Sequence, residues 1–223
     1  LTELKDRLDD GADHHDVQHL MHCDIDDDET RDAILAHIRE QAPRERRLRV
    51  LSDIDDTLYA NWKDTRFPAK TVYPGVLALY SELDREGRVA FVTARPKDRA
   101  GMIEKVTHAT LRALGVRKPI VLSGSFLNLH SDSSIVEQKL ANFRQYEAIF
   151  PEYDFAFFGD SGQGDADFGA RMRDCTDRVR SVFIHDVVAS PPAVRSGWFG
   201  RGVCFFDTYI GAAHEARATG LLD

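Results

Sequence analysis

The sequence predicts an α/β fold, a central parallel sheet covered by helices on both faces. Three observations carry that prediction. From Arg47 onward, short apolar runs alternate with amphipathic helical stretches, as strands joined by crossover helices do. The runs are nearly continuous in apolar residues, which fits strands buried on both faces. Three of the first four runs end in polar residues suited to chemistry: Asp53 and Asp55, then Thr93, then Asp160 and Asp165. In parallel sheets of this kind, ligands bind beyond the carboxyl ends of the strands.

Strand one is expected over residues 48–53, and a loop over residues 58–73 follows. Pro74-Gly75 opens a helix with Val76, Leu79, Tyr80 and Leu83 on one stripe, closed by Gly87. Strand two, residues 89–92, runs into Thr93-Ala94-Arg95-Pro96. The next helix places Ile103, Val106, Thr110 and Leu114 on its apolar stripe, with Gly115 as its cap. Strand three is residues 120–122. A Ser/Gly-rich loop then leads to a helix bearing Val136, Leu140, Phe143 and Tyr146, with Pro151 beyond its end. Strand four, residues 155–158, ends in Gly159-Asp160-Ser161-Gly162-Gln163-Gly164-Asp165. Strand five is residues 182–184. A Pro/Gly loop over residues 190–202, an apolar run at 203–206 and a helix from about Tyr209 complete the pattern.

Residues 1–45 are expected to form an N-terminal helical extension, and residues 46–223 one α/β domain. In the extension, Thr30 to Glu40 reads as a helix with Ile34, Leu35 and Ile38 on one face, stopped by Pro43. Asp24-Ile25-Asp26-Asp27-Asp28 resembles the start of a calcium loop, but Glu29 and Leu35 occupy the required glycine and glutamate positions. Acids that start a helix are the better account. His14, His15, His19, His22 and Cys23 lack the second half of a zinc site and read as a solvated helix face.

The 223 residues are enough for a substantial core, most simply in one domain. The formal charge of −8 argues against general nucleic-acid binding, which calls for a basic face. It does not exclude local membrane contact. Cys23, Cys175 and Cys204 are an odd set without paired spacing, read as reduced thiols of a cytoplasmic protein. No apolar run approaches the roughly 20 residues of a membrane-spanning helix. No basic-then-apolar leader opens the chain, although it begins at Leu1 rather than Met.

The chemistry concentrates in Ser52-Asp53-Ile54-Asp55-Asp56-Thr57. Like charges this close are unfavourable unless a cation joins them or one acid keeps its proton. DxDxT alone is a weak signal. With it, in order, come strand-ending Thr93, Lys139 near a helix start, and GDxxxxD from Asp160 to Asp165. This set resembles the four motifs of the haloacid dehalogenase superfamily of phosphatases. Ser52 to Thr57, Tyr73-Pro74-Gly75-Val76 and Gly159-Asp160-Ser161-Gly162-Gln163 further resemble the catalytic domain of the actin-patch phosphatidate phosphatase family, from about Leu48 to the last helix. Motif two departs from the pattern: it reads Thr93-Ala94-Arg95-Pro96 where a Ser-Asn-Ser-Pro type is expected, which bears on substrate more than on chemistry.

The resemblance implies the three-layer Rossmann-like fold of that superfamily, capless with only a short flap, and a Mg²⁺-dependent phosphatase that forms an aspartyl-phosphate. Asp53 would attack phosphorus and, with Asp160 and the backbone carbonyl of Asp55, hold Mg²⁺. Asp55 would act as acid and then base. Thr93, with the Ala94 amide, would bind phosphoryl oxygens, and Arg95 lies in the same motif. Lys139 would offset transition-state charge, and Asp165 would support the metal or Lys139. Asp56 and Ser161 are expected to stand behind these groups.

A capless, open site suits a bulky ester, and by the resemblance the substrate is phosphatidate, cleaved at a membrane surface. In the 59–70 flap, Tyr59, Trp62 and Phe67 alternate with Lys63, Arg66 and Lys70, a composition fit for peripheral membrane contact. Residues 196–201, with Trp198 and Phe199, form a second candidate loop. Packing on the domain is the plainer reading of both. The protein is expected in the cytoplasm, with a peripheral position at membranes as the extension of that expectation. The rival readings are a phosphoprotein or soluble phosphomonoester phosphatase, and a lipid- or phosphate-binding module without turnover.

Overall fold

The computed structural model describes residues 2–8, 17–96, 102–124 and 132–223. The N-terminal helices are α1 (Thr2–Leu8), α2 (Val17–His19, continued as a π-turn through Leu20–Asp24) and α3 (Asp28–Glu40). The alternating part runs β1 (Arg47–Ser52), α4 (Val76–Leu83), β2 (Arg88–Pro96), α5 (Met102–Ala113), β3 (Lys118–Gly124) and α6 (Asp132–Ile149). It continues with β4 (Tyr153–Asp160), α7 (Asp165–Cys175), β5 (Val179–His185), α8 (Pro192–Phe199), β6 (Val203–Phe206) and α9 (Tyr209–Ala218).

All strand pairs are parallel, in the order β3-β2-β1-β4-β5-β6. Alternation along each strand divides the core. Leu51, Phe155 and Phe157 face the α6 and α7 side, where Leu140, Phe143 and Phe168 meet them. Val50, Ala156 and Phe158 face the α4 and α9 side, against Val76, Leu79 and Tyr209. This is the expected three-layer architecture. The chain leaves β1 toward β2 on one side, while β4 pairs with β1 on the other. The strand order therefore reverses between β1 and β4, where an open parallel sheet leaves a crevice. Asp53 follows β1 and Asp160 ends β4, so both acids stand at that crevice.

Several local expectations change. On α5, Val106 is 62% exposed and Thr110 half-buried, while Thr107, His108 and Leu111 turn inward. The inward face carries polar groups, so its apolar residues alone mislead about orientation. Helix α4 ends at Leu83 with Asp84 as its cap, and Gly87 belongs to the next turn at φ +68°. Residues 192–199, expected as loop, are α8: Pro192 occupies its first position, where a missing N–H costs nothing.

The N-terminal helices dock on the α6 side. Lys5 of α1 is buried and donates to the Ile149 carbonyl at 2.8 Å and to Glu152 at 2.7 Å. Val17 and Met21 join the apolar core there. Asp27 caps α3 by accepting from the Thr30 amide at 2.7 Å, in keeping with acids that start a helix. His19 pairs with Asp24 at 3.5 Å, and Cys23 is exposed; His14 and His15 lie outside the described residues. No helix among the described residues is long and apolar enough to cross a membrane.

Candidate active site

The parallel register delivers the first acid. The Asp53 amide donates to the Phe158 carbonyl at 2.9 Å, which seats Asp53 beside the end of β4. Asp160 closes β4 and Asp165 is the first residue of α7, whose amide end favours a carboxylate. One carboxylate oxygen from each of Asp53, Asp160 and Asp165 lies within 4.8 Å of the others. Lys139, buried on α6, reaches Asp53 Oδ1 at 2.9 Å and Asp165 Oδ1 at 2.7 Å. Four residues remote in sequence thus meet at one point.

Two glycines make this approach feasible. A Cβ on Gly159 would stand 2.6 Å from the Asp165 side chain, and one on Gly162 2.9 Å from Asp160 Oδ1. The Gly162 amide donates to that Oδ1 at 2.6 Å, and the Asp160 amide donates to Asp165 Oδ2 at 3.2 Å. Asp160 Oδ2 is buried with no hydrogen-bond partner. A buried acceptor in this state is costly and calls for a ligand.

The electrostatics make the same demand. Burial pushes the Asp53 carboxyl up to about 7 against the pull of Lys139, and the charge of Asp165 adds to the rise. Burial, then the charges of Asp165 and Asp53, push Asp160 up to about 9. Burial opposes the Lys139 ammonium, but Asp165 and Asp53 hold it well above the usual lysine value. Among the described residues three acids share one ammonium, and a divalent cation would relieve the excess. Oxygen donors suit a hard ion of the Mg²⁺ kind.

Asp55 stands apart from the trio. Its Oδ1 accepts from Asn61 Nδ2 at 2.9 Å and lies 3.6 Å from Lys70 Nζ. Asp56 is buried, in left-handed conformation at φ +57°, and its carboxylate accepts from the amides of Asn61, Trp62, Lys63 and Asp64. The third acid of the motif is therefore the anchor of the flap. His185 Nδ1 contacts the Asp56 carbonyl at 3.1 Å, and the Tyr209 hydroxyl donates to the Thr57 carbonyl at 2.6 Å. Ser161 Oγ donates to Asp186 at 3.0 Å.

Thr93 is buried on β2 just before the register with β3 shifts. It thus stands at the carboxyl end of the strand beside β1. Ala94 and Arg95 continue β2, and their side chains lie outside those described. Sequence reading missed Asn61 and His185, and placed Lys70 only among the outward cations of the flap. Asn61 and Lys70 are separated in sequence by the flap tip, and only the folded hairpin returns both to Asp55.

The flap also corrects an expectation. Tyr59 is buried, Lys70 donates to its hydroxyl at 3.0 Å, and Arg66 is spent on Asp64. Trp62, 71% exposed, still faces outward with Lys63 and Phe67, and the Arg66 and Lys70 side chains remain about half exposed. Phe199 is exposed as well, but it borders a cavity lined by Arg180 and Thr219, toward the amino ends of the strands and away from the flap.

The arrangement defines a class: a parallel α/β protein with an acidic site at the switch point whose three carboxylates could hold a metal ion. The model of the family described as "Phosphatidate phosphatase APP1, catalytic domain" matches residues 48–186, more than half of the chain, and the chain belongs to that family. It is accordingly a hydrolase of phosphomonoesters, a phosphatidate phosphatase by family. The match covers all the acids above and ends at Asp186, short of the last helix to which the resemblance was expected to run. No curated protein and no solved structure matches the chain.

Proposed function

We propose that the protein hydrolyses phosphatidate to diacylglycerol and phosphate in a Mg²⁺-dependent reaction through an aspartyl-phosphate on Asp53. The carrying observation is the acid trio with its single ammonium and the partnerless Asp160 Oδ2. Asp53, Asp160 and the Asp55 carbonyl would hold the ion, with Asp165 behind them through Lys139. When bound, the ion supplies charge neutralisation at the phosphate edge.

The chain's own residues do the rest. Asp53 attacks phosphorus in line, and the bond to the ester oxygen breaks. Lys139 offsets the charge spread over the phosphoryl oxygens, and Thr93 with the Ala94 amide donates to them. Asp55 gives its proton to the departing oxygen and later takes one from the water that frees Asp53. Arg95 belongs to the same phosphate-side segment. Residues 46–223 form the catalytic unit, with residues 1–45 an extension whose described helices dock on the α6 side.

Substrate presentation falls to the flap. Trp62, Phe67 and Lys63 point outward beside an open site, which supports peripheral contact of a cytoplasmic enzyme with an anionic lipid surface.

The test is turnover of phosphatidate in mixed micelles, with and without Mg²⁺, beside a phosphopeptide and an aryl phosphate. Parent protein is expected to prefer phosphatidate and to need the ion. Asp53→Asn is expected to lose at least about 10³-fold in kcat. Full activity in that variant would sink the mechanism, and preference for the soluble esters would sink the lipid reading.

A further inference from the structure

The turn after β1 leads into a short hairpin. The Ala60 amide donates to the Thr71 carbonyl at 3.0 Å, the Lys70 amide to the Ala60 carbonyl at 2.7 Å, and the Tyr73 amide to the Leu58 carbonyl at 3.1 Å. Isolated bridges join Asp55 to Tyr59 and Tyr59 to Val72. The hairpin therefore brings two side chains from opposite arms to one oxygen. Asn61 Nδ2 donates to Asp55 Oδ1 at 2.9 Å, and Lys70 Nζ lies 3.6 Å from the same atom.

Neither donor is loosely placed. The Asn61 amide donates to Asp56 Oδ1 at 2.8 Å, which fixes its backbone to the residue next to Asp55. Lys70 adopts a left-handed conformation at φ +68°, a cost that side-chain residues bear only where the surroundings impose it. Its ammonium is oriented twice more, by the Tyr59 hydroxyl at 3.0 Å and by the Tyr59 ring, 4.2 Å from the centroid.

We infer that Asn61 and Lys70 are positioning residues that hold the Asp55 carboxyl in the orientation from which it protonates the leaving group. The inference rests on the role of Asp55 proposed above. In that step the bond from Asp53 to phosphorus forms. The bond from phosphorus to the ester oxygen breaks with its electron pair, and that oxygen takes the Asp55 proton, giving the free alcohol and the aspartyl-phosphate. With Asn61 donating to Oδ1 and the Lys70 ammonium in ion-pair range of that atom at 3.6 Å, the carboxyl is held with its other oxygen on the far side. A carboxyl free to rotate would present that oxygen only part of the time, and orientation is a large part of what a general acid supplies.

An alkoxide is a poor leaving group and needs the proton, whereas nitrophenolate leaves without it. The experiment therefore compares kcat/KM for a short-chain phosphatidate and for p-nitrophenyl phosphate. This ratio reports only steps up to alcohol release, so the later role of Asp55 as base does not enter. Asn61→Ala, Lys70→Met and the double variant are measured beside Lys70→Arg and Asp55→Asn. Expected losses on phosphatidate are about 10-fold for each single change and about 100-fold for the double, part of the 10² to 10⁴ an acid contributes. Losses on p-nitrophenyl phosphate are expected to stay below about 3-fold. Lys70→Arg, which keeps a cation near Oδ1, is expected to recover most of the loss.

Retained turnover of the aryl ester also shows that each variant is folded. Equal losses on both esters would overturn the inference, as would no loss on phosphatidate. If Asp55→Asn is selective for the poor leaving group and the flap variants are not, the positioning role alone falls. If Asp55→Asn is itself unselective, the acid assignment of Asp55 falls first and the inference with it.

Discussion

Arg49 within β1 and Asp53 just beyond its end are two residues of similar burial with opposite surroundings. Arg49 Nε lies 2.9 Å from Asp84 Oδ2, off the direction of a hydrogen bond, and Nη2 donates to Glu86 at 3.2 Å. Nη1 donates to the Tyr146 hydroxyl at 2.9 Å, and the guanidinium stacks 4.0 Å from the Tyr153 ring centroid. Arg47 also pairs with Glu86, and the charge of Arg88 acts on Asp84 as well, so each acid here faces cations of the protein. At Asp53 three acids face one ammonium among the described residues. The Arg49 cluster offsets its acids with cations of the protein itself, whereas the described residues leave the Asp53 trio with an excess of acid. That difference in charge separates a structural ion cluster from a candidate site.

The largest contrast is expected from removing one member of each. Arg49→Met leaves Asp84 buried without its cation, a loss of about 3–5 kcal/mol in stability, with activity per folded molecule unchanged. Asp53→Asn removes a charge from a crowded trio, so the metal-free protein is expected to melt no lower than the parent while turnover is lost. Thermal unfolding of both variants, with chelator present, reads the difference. A lower melting point for Asp53→Asn would mean that the acid trio is itself a stabilising network, and the contrast would fail.

Much of the unbalanced cluster was legible in the sequence because its members sit at strand ends, where spacing and an apolar run already locate them. Asp53, Asp160 and Asp165 come to one point as the motifs implied, and the stripes of α4 and α6 are buried as expected. What stayed hidden depends on directions that a one-dimensional pattern does not carry. Asp56 reads as one more acid, yet four amides from residues five to eight positions later converge on it through a left-handed turn. Tyr59 and Lys70 read as surface groups of a membrane-facing loop, yet they close on each other and on Asp55. The balanced cluster was equally hidden. Arg49 interrupts an apolar run, and nothing local shows that Asp84 and Glu86 will come to meet it.

The two clusters also answer pH differently. Burial raises Asp84 to about 6 even against Arg49, and raises Asp53 and Asp160 to about 7 and about 9, all above the unfolded value of 3.8. A raised acid binds its proton better in the folded state. Its contribution to stability is full below the unfolded value and is lost as pH rises through the folded one. The Asp84 share is therefore spent by about pH 6 with or without metal. Between pH 6 and 9 the further decline belongs to Asp53 and Asp160, and Mg²⁺ is expected to abolish it by binding the ionised form. Melting temperature measured from pH 5 to 9 in chelator and in Mg²⁺ checks this: the curves are expected to diverge above pH 6. Parallel curves across that range would show that the trio does not take up the ion.

The smallest effect tests whether the Arg49 cluster is as complete as its charge balance suggests. Tyr146→Phe removes only the oxygen that accepts from Nη1 and keeps the ring against Phe150 and Phe155. A buried guanidinium N–H deprived of its acceptor costs roughly 1–2 kcal/mol, and urea denaturation of the Mg²⁺-loaded protein measures it. Metal should not offset this loss, because Tyr146 lies on the amino side of β1 and the ion would sit at the other end. If Mg²⁺ did restore the stability of Tyr146→Phe, the two ends of β1 would be coupled. The balanced cluster would then be part of the site's machinery rather than its structural counterpart.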